Sequence, residues 1–210
     1  MADNAVSPAP QAVVFDIGRV LIEWDLRHLF AQLIDDPAEL DWFLSHVVTE
    51  EWHFQHDAGR TLEEMVAERQ AQFPEHAPLI DAYRHRFLET IPGPVAGTHE
   101  LVYRLHQAGV PLYGLTNFGA EFWDMFHPAA PLFDLFADIV VSGREKCVKP
   151  DPRIYELAEA RFPHPPHALF FVDDKCENVA AARARGWQGH VFTDAARLEN
   201  ELVALGLLGG

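Results

Sequence analysis

Four polar segments of this sequence carry side chains that could act together in the transfer of a phosphoryl group. They are Asp16 after the apolar run AVVF, Thr116-Asn117 after VPLYGL, Lys149 before a proline, and Asp173-Asp174 after ALFFV. Taken singly, each segment has a plain structural interpretation, such as a helix cap, a turn or a surface charge. Their order on successive strand ends of one α/β chain favours a shared site instead.

Asp16 is the candidate nucleophile of that site. A carboxylate can attack phosphorus and form an aspartyl-phosphate, but the two anions repel each other unless a divalent cation lies between them. Asp173 and Asp174 offer the oxygen ligands that Mg²⁺ prefers. The sequence therefore predicts a magnesium site close to the nucleophile.

Three further residues supply positive charge and hydrogen-bond donors. Lys149 offers a fixed cation that offsets the negative charge around the nucleophile. The hydroxyl of Thr116 and the backbone N–H of Asn117 can hold the equatorial oxygens of a phosphoryl group. With these groups, the set of side chains is complete for phosphoryl transfer.

The secondary-structure elements that must position these side chains are predicted to form an α/β fold. Four short apolar runs predict buried parallel strands, with a fifth candidate near the C-terminus. They are Ala12–Phe15, Val110–Leu115, Asp138–Val141, Ala168–Val172 and His190–Phe192. Helices are predicted between them at Thr98–Gln107, Pro152–Phe162 and Glu177–Arg185. Alternating strands and helices predict a three-layer, Rossmann-like parallel sheet.

The pattern changes between Trp24 and Pro92, where helical periodicity replaces strand-like runs. We interpret this stretch as an all-helical cap inserted after the first strand. The predicted domains are an α/β catalytic core over residues 11–21 and 93–210, and a cap over residues 22–92. Residues 1–10 are predicted to be a disordered leader because they are rich in Ala, Pro, Ser and Asn.

The overall charge restricts the partners of the protein. The 210 residues carry a formal net charge of −16, which repels polyanions and argues against nucleic-acid binding. No signal peptide and no run long enough to span a membrane is visible, so we expect a cytoplasmic protein with no membrane partner. A small phosphorylated metabolite is the expected partner, and the protein is expected to be a monomer or a homodimer.

In combination, these motifs resemble those of the haloacid dehalogenase-like (HAD) hydrolase superfamily. The resemblance rests on FDIGRVL at 15–21, LTN at 115–117, KPDPRIY at 149–155 and FVDDKCENVAAA at 171–182. The helical insertion is similar to the helical-bundle (C1) cap of the family. The resemblance implies that Thr116 and Asn117 bind phosphate and that Lys149 steadies the phosphoryl-enzyme.

The resemblance also implies how a metal ion is held. Asp16 would be both the nucleophile and a Mg²⁺ ligand, and Asp174 would bind the ion directly. Asp173 would bind it directly or support it from behind. Asn178, one helical turn further on, would support the water molecules of the metal.

Gly18 departs from the pattern of the phosphatases in this family, which usually carry a second Asp there. That Asp protonates the leaving oxygen, whereas Gly18 offers only a backbone carbonyl to the metal. Three accounts follow: Arg19 or a cap histidine replaces it, the substrate has a good leaving group, or turnover is slow or absent. A subgroup resembling sugar-1-phosphate phosphatases also has Asp-x-Gly and a turn similar to WHFQHDAGR. We therefore favour a substrate such as a sugar 1-phosphate.

Two further functions stay open at this point. One is a metal-independent 2-haloacid dehalogenase, which typically has Ser and Asn at the positions of Asp173 and Asp174. The other is a non-catalytic or regulatory protein of the same fold, because of Gly18. Within the cap, Trp52 and His56 are predicted to face the active site and shape the substrate pocket, together with Arg19.

Overall fold

The structure, a computed structural model, describes residues 9–209, and its centre is a five-stranded sheet in which every paired strand is parallel. The strands are β1 Ala12–Phe15, β2 Leu112–Thr116, β3 Asp138–Val141, β4 Leu169–Asp173 and β5 Gln188–Val191. Their order across the sheet is β3-β2-β1-β4-β5, so β1 is central.

The central strand shows why these runs form a buried sheet. All four residues of β1 are fully buried, and β-branched and aromatic side chains fit a pleated surface that is covered on both faces. The predicted strands are confirmed, with ends that differ by at most two residues. The polar tips Thr116 and Asp173 belong to the strands because they still pair with Val141 and Val191.

Helices surround the sheet. They are α1 Leu26–Phe30, α2 Pro37–His46, α3 Glu50–Asp57, α4 Leu62–Gln72, α5 Ala77–His85, α6 Thr98–Gln107, α7 Ala120–Phe126, α8 Ser142–Glu145, α9 Pro152–Arg161, α10 Cys176–Ala184 and α11 Ala195–Ala204. The three helices predicted from the sequence are confirmed to within one residue at each end.

The core lies on both faces of the sheet. Val13 and Phe15 belong to a large apolar cluster that includes α6, α7 and the helices of residues 26–90. Ala12 and Val14 belong to a second cluster with α9. Because successive side chains of a strand point to opposite faces, this division confirms the predicted three-layer arrangement.

The segment over residues 26–90, called here the helical insert, is attached to the sheet by stacked aromatic rings. The ring centroids of Phe87 and Phe122 lie 3.6 Å apart and their planes are nearly parallel. Tyr83 and His53 pack against the same Phe122 ring, at 5.1 and 6.3 Å. Phe122 belongs to α7, so this cluster joins the helical insert to the core.

The two chain segments that lead into and out of the helical insert lie side by side. Ile22 forms an antiparallel bridge with Pro94. The N–H of Glu23 donates to the carbonyl of Gly93 at 2.9 Å, and the N–H of Val95 donates to the carbonyl of Leu21 at 3.1 Å. The helical insert therefore begins and ends at one place on the core.

Two sequence predictions are not decided by these elements. Residues 1–8 of the predicted leader lie outside the described residues, and the exact domain boundaries stay a prediction. Within residues 9–209, no helix has the length and apolar character needed to cross a membrane.

Gly119 allows the helical insert to approach the core closely. A Cβ atom at this position would lie 1.9 Å from Cδ2 of His56, in α3. Gly119→Ala is therefore expected to lower the free energy of unfolding by about 1–3 kcal/mol, the usual cost of overpacking. Thermal unfolding measures the effect.

Gly93→Ala is the matched control, because a Cβ atom there meets no atom within 4 Å and its φ is not positive. Equal melting temperatures for the two variants would contradict the close approach at Gly119.

Candidate active site

The strand order brings three polar tips together at one edge of the sheet. Asp16 follows β1, and β1 lies between β2 and β4, which end in Thr116 and Asp173. Phe15 pairs with Gly114 on one side and with Val172 on the other. The tips therefore meet beyond the carboxyl ends of the strands, where ligands bind in sheets of this kind.

A buried ammonium group joins two of these carboxylates. Lys149 Nζ lies 2.8 Å from Asp16 Oδ1 and 2.7 Å from Asp173 Oδ2, and Lys149 is only 2% exposed. Burial alone would lower the pKa of Lys149, but the two carboxylates outweigh it and raise that pKa. Lys149 is therefore a permanent cation in the site.

Asn117 fixes the backbone of Lys149. The N–H of Lys149 donates to Asn117 Oδ1 at 2.8 Å, and Asn117 Nδ2 donates to the carbonyl of Lys149 at 3.1 Å. This reciprocal pair orients the lysine, a task that the sequence did not indicate. The predicted contact of Asn117 with phosphate is a separate expectation, which uses its backbone N–H.

Asp173 is fully buried and is held by three neighbours. Besides Lys149, it accepts the N–H of Lys175 at 2.8 Å and both of its oxygens accept from Asn178 Nδ2, at 2.9 and 3.0 Å. Asn178 therefore orients this carboxylate. Tyr155 supports the same helix, because its hydroxyl donates to the carbonyl of Asn178 at 2.9 Å.

The carboxylates fit a divalent cation. One oxygen each of Asp16, Asp173 and Asp174 lies within 4.8 Å of the others. Such an all-oxygen donor set suits Mg²⁺. Burial and, to a smaller extent, the negative charge of Asp173 raise the pKa of Asp16 to about 7, against the opposing effect of Lys149. A bound cation would offset this accumulation of negative charge.

Thr116 has a buried hydroxyl that is free for a ligand. The residue is 0% exposed, and its Oγ1 has no hydrogen-bond partner among the residues that the structure describes. A buried hydroxyl without a partner is costly, and the cost is removed when a ligand oxygen accepts from it.

A cavity of about 370 Å³ lies above these groups, in the range of roughly 300–1,000 Å³ found for small-molecule sites. Its core side is lined by Asp16, Gly18, Arg19, Ile22, Asn117, Phe118, Lys149, Asp174, Lys175 and Asn178. Its other side is lined by Trp24, Glu50, Glu51, His53, Phe54, Asp57 and Phe87. Most of the sequence-predicted residues are therefore brought to one cavity, whereas the fully buried Thr116 and Asp173 do not line it.

Trp52 and His56 do not line this cavity, in contrast to their predicted place in the pocket. Trp52 packs on Tyr83 with ring centroids 4.8 Å apart, and His56 packs on Phe122 at 4.8 Å. His56 Nδ1 also lies 2.8 Å from the carbonyl of Arg60. The prediction placed the wrong face of α3 toward the site, because the rotation of a helix depends on the partners it packs against.

The residues of α3 that do face the cavity include two that the sequence analysis missed, His53 and Asp57. They are spaced i, i+4, so they share one helix face. His53 Nε2 lies 3.5 Å from Asp57 Oδ1, and His53 Nδ1 lies 2.8 Å from the hydroxyl of Tyr83. The i, i+4 spacing of His and Asp was the available signal.

Arg19 lines the cavity, and its role in a substrate pocket stays a prediction. Its Nη2 lies 2.5 Å from Glu50 Oε1, and its guanidinium stands 4.9 Å from the ring centre of Trp24. Arg19 has a φ of 61°, a left-handed conformation that is uncommon for a residue with a side chain. The loop after Asp16 thus directs this cation toward the helical insert.

Comparison with known proteins identifies relatives of this chain. A sesquiterpene phosphatase, astK of Aspergillus oryzae, is 29% identical over 186 residues, which are 88% of this chain and 91% of that protein. An (S)-2-haloacid dehalogenase of Pseudomonas putida is 30% identical over 112 residues, 53% of this chain and 47% of that protein.

Solved structures share the fold. A HAD family enzyme of Bacteroides thetaiotaomicron, in complex with magnesium and inorganic phosphate, superposes with a TM-score of 0.68. It is 18% identical in sequence, and the match covers 90% of this chain and 98% of that one. The likeness confirms the predicted α/β architecture.

A family model described as haloacid dehalogenase-like hydrolase matches residues 10–186, which span all four of the motifs that suggested the resemblance. The match covers most of the chain, and the protein therefore belongs to the haloacid dehalogenase-like hydrolase family.

Proposed function

We propose that this protein is an Mg²⁺-dependent phosphomonoester hydrolase that forms an aspartyl-phosphate on Asp16. The observation that carries the proposal is the position of Lys149, whose buried ammonium bridges Asp16 and Asp173 at 2.8 and 2.7 Å. The phosphatase name of the astK relative and the magnesium and phosphate in the Bacteroides structure support the same activity.

Asp16 would attack through the oxygen that is not already engaged. Its Oδ1 accepts the N–H of Ile17 at 2.7 Å and contacts Lys149, so Oδ2 is available to the phosphorus. The hydroxyl of Thr116 and the N–H of Asn117 would bind the phosphoryl oxygens. Lys149 would offset the negative charge that Asp16 and the phosphate share.

The metal would be held by Asp16, Asp174 and the carbonyl of Gly18. When bound, Mg²⁺ supplies positive charge between the nucleophile and the phosphate, so that the two anions can approach each other. Asp173 has Lys149, Lys175 and Asn178 as partners. Its first task is therefore to orient the lysine.

The helical insert would act as a cap over the reaction. Residues of α3 form the side of the cavity opposite Asp16, so closure of this side excludes water while the ester is cleaved. Opening then readmits water to hydrolyse the aspartyl-phosphate.

The walls of the cavity favour a substrate with an apolar body. Trp24, Phe54, Phe87 and Phe118 all line it, and Ile22 adds an aliphatic surface. Apolar and aromatic side chains bind the hydrophobic part of a ligand, and a few polar groups orient it. We infer a small organic phosphate with an apolar alcohol, in agreement with the sesquiterpene phosphatase name of the astK relative.

A sugar phosphate is the second candidate, as the sequence analysis suggested. Glu50 and Glu51 also line the cavity, and their carboxylates can accept hydrogen bonds from sugar hydroxyls. Because Glu50 is already paired with Arg19 at 2.5 Å, this candidate has less support than the apolar one.

A dehalogenase and a non-catalytic protein both have weaker support than a phosphatase. A metal-independent dehalogenase would place an incoming carboxylate beside Asp174 and Asp173, which repel it. The dehalogenase relative matches only about half of this chain. A non-catalytic role would leave the buried Lys149 and the unpaired hydroxyl of Thr116 without a purpose.

Asp16→Asn tests the proposed activity. Hydrolysis of p-nitrophenyl phosphate should require Mg²⁺ and should fall by at least about 1,000-fold in this variant, because an amide cannot act as the nucleophile. Release of nitrophenolate with Mg²⁺ or with EDTA measures both effects. An unchanged rate for Asp16→Asn, or chloroacetate hydrolysis that survives EDTA, would contradict the proposal.

Phe54→Ala tests the substrate class. The side chain lines the cavity, so KM for an isoprenoid alkyl monophosphate should rise about tenfold, as expected for the loss of a buried apolar contact. KM for glycerol phosphate should change little. A panel that includes glucose 1-phosphate and glucose 6-phosphate ranks the two candidate classes.

Trp42→Ala is the matched control, because Trp42 is a similarly exposed aromatic residue of the helical insert that does not line the cavity. Preferential hydrolysis of glucose 1-phosphate, with no effect of Phe54→Ala, would decide for the sugar phosphate.

A further inference from the structure

Gly18, two residues after Asp16, has no side chain that could donate or accept a proton. A Cβ atom at Gly18 would meet no atom within 4 Å, so there is open space here, and Gly18 lines the cavity. A phosphate ester with a strongly basic leaving oxygen needs a proton donor near this space. The donor must therefore come from another part of the cavity wall.

Asp57 is a buried carboxyl group that faces the same cavity from the helical insert. It is the last residue of α3 and is 5% exposed. Its Oδ1 has no hydrogen-bond donor within the described part of the chain, since His53 Nε2 stands 3.5 Å away. A buried polar atom that lacks a donor and lines a ligand cavity is available to a substrate or to water.

The backbone of Asp57 is fixed to the core. Ser142 Oγ donates to its carbonyl at 2.7 Å, and the backbone N–H of Gly119 interacts with its carboxyl group. The same Ser142 hydroxyl accepts the N–H of Phe118 at 3.0 Å. Asp57 therefore has a defined position relative to the sheet, although it belongs to the helical insert.

The groups around Asp57 keep it protonated near neutral pH. Burial raises the pKa of Asp57 to about 8, although its hydrogen bond from the Gly119 N–H lowers that pKa. The charge of Asp16 also raises the pKa, whereas the charges of Lys175 and Lys149 lower it. On its own helix, burial lowers the pKa of His53 to about 3. Burial also raises the pKa of the Tyr83 hydroxyl, which faces the pair from α5. Asp57 can thus give up a proton where its neighbours cannot.

We propose that Asp57 is the proton donor for the leaving oxygen, in the role that position 18 cannot fill. The proposal rests on the phosphatase function proposed above. Asp16 Oδ2 forms a bond to phosphorus, the bond from phosphorus to the ester oxygen breaks, and that oxygen takes the proton of the Asp57 carboxyl. The products of this step are the free alcohol and the aspartyl-phosphate.

The second step returns the proton. A water molecule attacks the phosphorus, the bond from phosphorus to Asp16 breaks, and the proton of the water passes to the Asp57 carboxylate. Inorganic phosphate leaves, and both carboxyl groups regain their starting states. Because Asp57 belongs to the helical insert, this segment must cover the site again, after water has entered, for the proton transfer of the second step.

Arg19 and the histidines of α3, the other candidates for this role, fit it less well. Arg19 is paired with Glu50, and a guanidinium does not release its proton in proteins. His53 is neutral because burial lowers its pKa, and its Nδ1 already lies 2.8 Å from the hydroxyl of Tyr83. His56 does not line the cavity.

Asp57→Asn should separate substrates by the basicity of their leaving groups. General acid catalysis contributes about 100- to 10,000-fold, so kcat/KM for an alkyl monophosphate should fall at least about 100-fold. For p-nitrophenyl phosphate, whose leaving oxygen is weakly basic, kcat/KM should fall less than about tenfold. Its kcat should fall further, with a burst of one nitrophenolate per enzyme, because hydrolysis of the aspartyl-phosphate also loses its base.

The pH profile gives an independent measurement. The carboxyl must be protonated to act as the acid, so kcat/KM of the wild-type protein for the alkyl ester should fall as the pH rises through the pKa of Asp57, about 8 in the absence of metal. This alkaline decline should be absent in Asp57→Asn.

Gly18→Asp in the Asp57→Asn background is the rescue variant, because position 18 has room for a side chain. It should raise the alkyl phosphatase activity of Asp57→Asn by at least about tenfold, and no recovery would contradict a shared role. Glu63→Gln is the matched control, since it removes an exposed carboxylate of the helical insert that does not line the cavity. The ratio of its kcat/KM values for the alkyl ester and for p-nitrophenyl phosphate should equal that of the wild-type protein.

The outcomes separate this proposal from the one it rests on. A wild-type protein with no Mg²⁺-dependent turnover of any ester overturns the phosphatase function. If the wild-type protein is active and kcat/KM falls by the same factor for both esters in a folded Asp57→Asn variant, only the role of Asp57 is overturned. Thermal unfolding of each variant establishes that it is folded.

Discussion

The buried contact of one ammonium group with two carboxylates is the constraint on which the rest of this site depends. Burying Lys149, Asp16 and Asp173 without one another would cost several kcal/mol for each charge. Each carboxylate therefore depends on the ammonium of Lys149, and that ammonium depends on the carboxylates, which the parallel pairing of β1 with β4 places on neighbouring strands. Asn117 and Asn178 then fix the lysine backbone and the second carboxylate.

The two sides of the cavity have different physical characters. The core side carries the buried charges of Asp16 and Lys149 and is built on strand ends, where positions are set by the hydrogen bonds of the sheet. The side formed by the helical insert carries the aromatic rings and a carboxyl group whose surroundings favour its neutral form, with Asp57 tied to the core by Ser142. In the proposed mechanism, the sheet side stabilises charge, whereas the helical insert provides the fit to the substrate and the proton transfer.

The sequence was informative where local pattern decides structure. Short apolar runs with polar ends identified the strands and placed Asp16, Thr116 and Asp173 at one edge, because parallel strands end on the same side of a sheet. It was not informative about α3, where Trp52 was expected at the cavity and Asp57, which does line it, was not considered. Both faces of that helix carry aromatic and polar residues, and its rotation follows from long-range packing on Tyr83 and Phe122. No pattern within the helix encodes those partners.

The paired segments at Ile22 and Pro94 have a consequence for how such a protein can diversify. Because the helical insert leaves and rejoins the core at one bridged point, its ends are already held together, whatever its length or sequence. Replacing it would alter the loop-closure entropy only slowly with length and would leave the sheet pairing intact. The charged part of the site on the core can therefore be retained during evolution, while the helical insert, the part proposed to select the alcohol, is exchanged as a unit.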